Sequence, residues 1–81
     1  MEYYYLFELR VSINKELDFY INENVVIESN LENELKQMLS AQDEPAIILH
    51  ADKTVDIEHV VKVMDIAYRN KYKIVLATKP N

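Results

Sequence analysis

Large apolar and polar side chains alternate from the start of the chain. Tyr3, Tyr5, Phe7, Leu9, Val11 and Ile13 fall on one side of an extended segment. Tyr4, Leu6, Glu8, Arg10, Ser12 and Asn14 fall on the other, which turns polar after Leu6. A sustained period of two predicts an N-terminal strand. Asn14-Lys15-Glu16 reads as a turn. Leu17, Phe19 and Ile21 then resume the alternation against Asp18, Tyr20 and Asn22, so a hairpin is expected. Asn22-Glu23-Asn24 is a second turn, where Asn can take the left-handed backbone usually left to Gly. Val25-Val26-Ile27 is a short extended run.

The period then changes. Ser29 with Glu32 three residues on fits a capping box. Leu31, Leu35, Met38 and Leu39 recur at helical spacing, with Glu32, Asn33, Glu34, Lys36 and Gln37 outside. This helix ends near Ala41, and Gln42-Asp43-Glu44-Pro45 is a loop. Ala46-Ile47-Ile48-Leu49-His50-Ala51 is a continuous apolar run that fits a strand buried on both faces or nearly so. Asp52-Lys53-Thr54 turns the chain. Asp56 is an N-cap, with Val55 placed to pack on Val60 as a hydrophobic staple. A second helix over about residues 56–70 carries Ile57, Val60, Val61, Met64, Ala67 and Tyr68 on one face, and Asn70-Lys71 ends it where Gly is usual. Lys73–Thr78 is the last strand.

The order β-β-α-β-α-β predicts an α+β domain of two layers, a mixed four-stranded sheet with both helices on one face. Residues 46–78 make a strand–helix–strand unit with the right-handed crossover. The 81 residues form one domain, residues 1–81, with a modest core.

Composition narrows the function. Net charge is −5, which argues against nucleic acid or an anionic membrane surface as the main partner. Residues 1–44 hold three basic and ten acidic side chains, and residues 45–81 hold six basic and four acidic ones, an asymmetry that ordinary solvated faces explain. No run approaches the roughly 18–20 apolar residues of a membrane span. The start lacks the basic segment and apolar stretch of a signal peptide. There is no cysteine and no glycine, hence no thiol nucleophile and no Gly-rich phosphate loop.

Catalytic readings find little support. Of Ser12, Ser29 and Ser40, Ser29 is better explained as a cap. His50 and His59 with Asp52 or Asp56 between them could be read as metal ligands, but that spacing does not force convergence. His50 completing a strand and His59 in a solvated first turn is the simpler account. Asp52, Asp56, Glu58 and Asp65 could be read as an acid/base cluster, yet Asp56 and Glu58 do not share a helix face. Six tyrosines poorly interleaved with basic residues make no base-stacking surface. We expect a non-enzymatic domain without metal or cofactor.

One stretch is specific. His50-Ala51-Asp52-Lys53-Thr54-Val55-Asp56-Ile57-Glu58-His59-Val60-Val61-Lys62-Val63-Met64-Asp65 resembles the A-D-K-x-V-x-(aromatic or aliphatic)-x-x-(V/L)-(V/M)-x-V-M-D signature of the ExbD/TolR biopolymer-transport family. Ile21-Asn22 with Val25 or Val26 resembles its (I/L)-N-G-x-x-(V/I) motif, and the resemblance runs over about residues 4–78. It departs at Glu23, where the family has Gly, and near Lys71, where Gly is usual. The family's N-terminal membrane helix and its proton-linked Asp have no counterpart in the sequence, so the chain looks like the periplasmic domain alone.

The resemblance implies a homodimer anchored in the bacterial inner membrane by a single pass, with this domain in the periplasm. It implies an ExbB/TolQ-like membrane partner forming a proton-driven motor, and a TonB-like energy transducer as the recipient of the work. In the TolR-like alternative the domain grips peptidoglycan or a Tol-Pal partner. Tyr3, Tyr5 and Phe7 on the terminal strand, and Asp52 and Lys53 in the signature loop, are the candidate partner-binding residues. The long terminal strand is expected to be exchanged or paired between protomers, leaving another sheet edge for a partner segment.

Overall fold

A computed structural model describes residues 8–77. The elements are β1 (Glu8–Ile13), β2 (Phe19–Ile21), β3 (Asn24–Val26), a 3-10 turn (Glu28–Asn30), α1 (Leu31–Leu39), β4 (Ala46–Ala51), α2 (Ile57–Arg69) and β5 (Lys73–Ala77). The fold is α+β with a mixed sheet, as expected, but the sheet has five strands in the order β3-β2-β1-β4-β5. The added strand is the run after the second turn, where Val25 and Val26 pair with Tyr20 and Phe19. Three residues are too short to show a period, so pairing and not pattern makes this strand.

β1 pairs antiparallel with β2 and parallel with β4, while β4 pairs parallel with β5. The N-terminal strand is therefore central over Val11–Ile13, where both ladder edges are occupied, and Glu8–Arg10 is paired in the ladder on the β4 side alone among the described residues. Tyr3, Tyr5 and Phe7 lie outside the described residues.

Val11 and Ile13, Phe19 and Ile21, and Ile47 and Leu49 share one sheet face. They form one buried cluster with Leu31, Leu35 and Leu39 of α1 and Val60, Val63 and Ala67 of α2. Both helices thus lie on the same face. Arg10, Ser12, Tyr20, Ile48, His50 and Val75 belong to the opposite, open face by strand alternation.

The turns work without glycine. Positive φ occurs at Leu17 (67°), Asn22 (58°) and Lys71 (62°). Glu23 is not among them, so the missing Gly after Asn22 leaves no strained residue there. Leu17 sits in the first turn and not in β2. Its N–H donates to the Asn14 carbonyl at 2.9 Å, and Asn14 Oδ1 accepts from the Asp18 and Glu16 amides at 2.8 and 3.1 Å. At the end of α2, the Lys71 amide donates to the Tyr68 carbonyl and the Tyr72 amide to the Ala67 carbonyl, the paired bonds of a Schellman motif. Lys71 occupies its left-handed position, where a Cβ costs roughly 1 kcal/mol. Lys71→Gly is expected to raise stability by about 0.5–1 kcal/mol in a denaturant melt. An unchanged or lower midpoint would show that the conformation carries no such penalty.

The first helix starts later than the sequence reading placed it, and neither start carries a side-chain capping bond. α1 begins after the 3-10 turn, and Ser29 lies inside that turn instead of capping. The Asn30 amide is satisfied by the Ile27 carbonyl, and the Leu31 amide by the Glu28 carbonyl, so backbone bonds do the work expected of the Ser hydroxyl. Asp56 does stand at the N-cap of α2 with extended backbone, but its side chain makes no capping bond. Met38, expected on the inner face of α1, is exposed.

Candidate functional site

The signature loop leaves β4 and enters α2. The Asp52 amide donates to the Ile13 carbonyl at 2.9 Å, tying the loop to the end of β1. Asp52 Oδ1 accepts from the Thr54 amide at 2.9 Å and from the Thr54 hydroxyl at 2.7 Å, and the Val55 amide returns to the Asp52 carbonyl. The Thr54 amide bond, followed by the Thr54 hydroxyl bond, holds the Asp52 carboxyl below its ordinary range. Asp52 is thus occupied in shaping the turn, while Lys53 is exposed. Both lie past the C-terminal end of β4, beside the end of β1 and at the opposite end of that strand from Glu8.

The histidines do not converge. His50 belongs to the open sheet face, whereas His59 rides on α2 on the covered face. His59 does lie beside Asp56 and Glu58, with potential ligand atoms within 4.8 Å of one another. That group sits on the first turn of α2, where the helix dipole opposes a cation, and His59 Nε2 is 3.6 Å from Glu58. Asp65 lines an open groove of about 210 Å³ with Phe19, Glu28, Leu31, Lys62, Ile66 and Arg69. This is smaller than the several hundred Å³ usual for small-molecule sites, and its lining offers neither histidine nor hydroxyl nucleophile.

Two links cross from the start of α1 to α2. Lys62 Nζ is 3.0 Å from Glu28, and Arg69 Nη2 is 2.7 Å from Glu32. Asn70 Nδ2 also donates to Glu32 Oε2 at 2.9 Å and to the Ile66 carbonyl at 2.8 Å. The Asn70 bond, then the Arg69 bond, lowers the Glu32 pKa from its ordinary 4.5. A depressed carboxyl contributes stability above its unfolded pKa and loses it as pH falls through the folded value. Glu32→Gln is therefore expected to lower the thermal midpoint at neutral pH and to flatten its decline below pH 4.5. An acid decline as steep as in the parent would remove Glu32 from that role.

What remains unexplained by packing is the outer surface. The inner face of α2 is Val60, Val63 and Ala67. Ile57, Val61, Met64 and Tyr68 were expected to share it, yet they form a second, exposed stripe, with Ile57 at 70% and Tyr68 at 86% exposure. The reason is angular. Positions 60, 63 and 67 centre roughly 100° from 57, 61, 64 and 68 at 100° per residue, and a helix lying on a flat sheet buries only one such stripe. The surplus of apolar positions in this helix was the available sequence signal.

The two sheet edges are also unequal. Lys73 N–H bonds the Pro45 carbonyl at 2.9 Å, so residues 73, 75 and 77 face β4 and the backbone groups of Ile74 and Leu76 point outward. On β3, Ile21 and Asn24 flank the two-residue turn and exchange their bonds, leaving the N–H and C=O of Val25 without a ladder partner among the described residues. Val25 and Ile27 beside this edge are exposed at 66% and 70%.

The model of the family described as biopolymer transport protein ExbD/TolR matches residues 7–81. The chain belongs to the ExbD/TolR family. No curated protein matched it. Membership makes the domain a part of biopolymer transport, in a family of transport accessory proteins and not of enzymes. Within the ExbD/TolR signature, Val60 and Val63 are core and Val55 packs against it, Asp52 builds the turn, and Val61 and Met64 are exposed. No helix among the described residues is long and apolar enough to cross a membrane.

Proposed function

We propose that this domain is the periplasmic coupling module of an inner-membrane motor driven by the proton gradient. It acts as a homodimer beside an ExbB/TolQ-like membrane protein and passes work to a TonB-like energy transducer. Family membership over residues 7–81 carries the transport half of this reading. The edge at β3, unpaired among the described residues, supports the mechanical half. An extended partner segment can bond the Val25 backbone and pack on Val25 and Ile27, as strand addition requires. In this reading the exposed Lys53 and the segment holding Tyr3, Tyr5 and Phe7 contact the membrane-side partners, while Asp52 keeps the loop in shape.

The test is binding of a labelled peptide that spans the periplasmic region just beyond the membrane anchor of a TonB-like protein. The expected result is saturable binding in the micromolar to millimolar range. The TolR-like alternative, a grip on peptidoglycan, predicts instead that the domain pellets with purified cell wall and ignores the peptide.

A further inference from the structure

The groove between the helices holds a carboxylate that the fold does not use. Asp65 follows Lys62 by three residues and precedes Arg69 by four, the spacings at which side chains pair along a helix. Neither cation turns to it. Lys62 reaches across the groove to Glu28 at 3.0 Å, and Arg69 reaches Glu32 at 2.7 Å. Asp65 therefore lines the groove, exposed, with no ion pair or hydrogen bond among the described residues. Glu32 has both oxygens occupied, by Arg69 and Asn70, whereas Glu28 has only Oε2 engaged. The acceptors still open on the groove are Asp65 on one wall and Glu28 on the other. The layer around them has the same sign. Residues 28–39 and 56–69 hold six acidic and three basic side chains, a net −3 of the chain's −5.

We propose that this groove receives an arginine side chain from a protein partner. Phe19, Leu31 and Ile66 line it with apolar surface, against which a long basic side chain can lay its methylene stem while the charge stays at the rim. A guanidinium offers five donors in a rigid fork and can bridge two carboxylates on opposite walls, which the point charge of an ammonium does less well. Lys62 and Arg69 oppose such a guest little, because each already faces a carboxylate from the start of α1. The volume of about 210 Å³ suits one side chain and not a drug-sized ligand. The site lies in the helix layer and not on the Val25 edge, so it adds a charge requirement to the partner without resting on strand addition.

An amide chemical-shift titration of the 81-residue chain at low salt tests this. The probe is N-acetyl-arginine methylamide. Its citrulline counterpart keeps the shape and loses the charge, and its lysine counterpart keeps the charge and loses the fork. The arginine probe is expected to shift the amides of Leu31, Asp65 and Ile66 with a Kd of about 1–10 mM, the weak range of a solvent-exposed ion pair. The lysine probe is expected to bind at least about threefold more weakly, and citrulline to leave these amides unmoved. Asp65→Asn is expected to weaken arginine binding at least about fivefold with an unchanged thermal midpoint, since Asp65 bonds nothing in the fold. Glu34→Gln removes the same charge from an exposed position of α1 outside the groove, and the Kd is expected to stay within about twofold. Equal shifts from arginine and citrulline, a lysine probe that binds as well as arginine, or an Asp65→Asn variant that binds as the parent does overturns the proposal. Equal losses in the Asp65 and Glu34 variants also overturn it, by reducing the effect to bulk charge. Peptide binding at β3 is read at other amides, so either reading can fail alone.

Discussion

Leu49→Ala is expected to destabilise the domain by about 3 kcal/mol, within the range for removing a fully buried leucine. Leu49 has no exposed surface, and its neighbours in the ladder are Val11 on β1 and Leu76 on β5. β4 runs between β1 and β5, so the lost contacts cannot be recovered by the shift of an edge. A chain of this size has roughly 4–12 kcal/mol of total stability, so the change removes a large share of it. The thermal midpoint should fall by about 12–24 °C for a domain this small. A drop of less than about 3 °C would mean that this layer is not the packed core. The same truncation at Met38, which is exposed on α1, should shift the midpoint little.

Val25→Pro is expected to weaken binding of the energy-transducer peptide at least about thirtyfold while leaving the fold intact. The N–H that proline removes points to the free side of β3, because the ladder to β2 uses Asn24 and Val26. Proline is tolerated on such an edge, so the folded state should retain its thermal midpoint within a few degrees. A bound strand would lose both that donor and the room its own backbone needs beside the ring. A discrimination of about thirtyfold corresponds to about 2 kcal/mol, which is what leaving a buried polar group unpaired costs. Anisotropy titration of parent and variant with the same peptide reads the effect. Equal affinities would move the contact away from β3.

Much of the fold was legible because its periodicities are clean. β1, α1, β4 and α2 each follow from alternation or helical spacing, and the glycine-free turns were marked by Asn14, Asn22 and Asn70. Three things were hidden. β3 has only three residues, and its partner is chosen by the turn before it, not by its own pattern. The central place of β1 is a property of the topology: the chain leaves its first strand, builds a hairpin on one side and returns through α1 to β4 on the other. The third is Glu32. A local motif assigned it to a cap, but its carboxylate is taken by Arg69 and Asn70, far along the chain and close only after folding.

The candidate site was legible in part. The signature loop identified the family, and the structure gives Asp52 its physical task in the turn. The apolar side chains outside the core, Val61 and Met64 within the signature and Tyr68 and Val25 beyond it, were hidden for a simple reason. Hydrophobicity in a helix or strand reads as burial until the partner surface is known. Their exposure places apolar side chains on the surface of this domain outside its core.

The central claim is that this ExbD/TolR domain couples to a TonB-like partner by strand addition. An amide chemical-shift titration with the transducer peptide tests it residue by residue. The account predicts that the largest shifts gather on β3 and its neighbours, at Val25, Val26, Ile27 and Tyr20, and that the Val25 amide becomes protected from exchange. Shifts confined to the loop at Asp52 and Lys53, or no shifts at about 1 mM peptide, would contradict it.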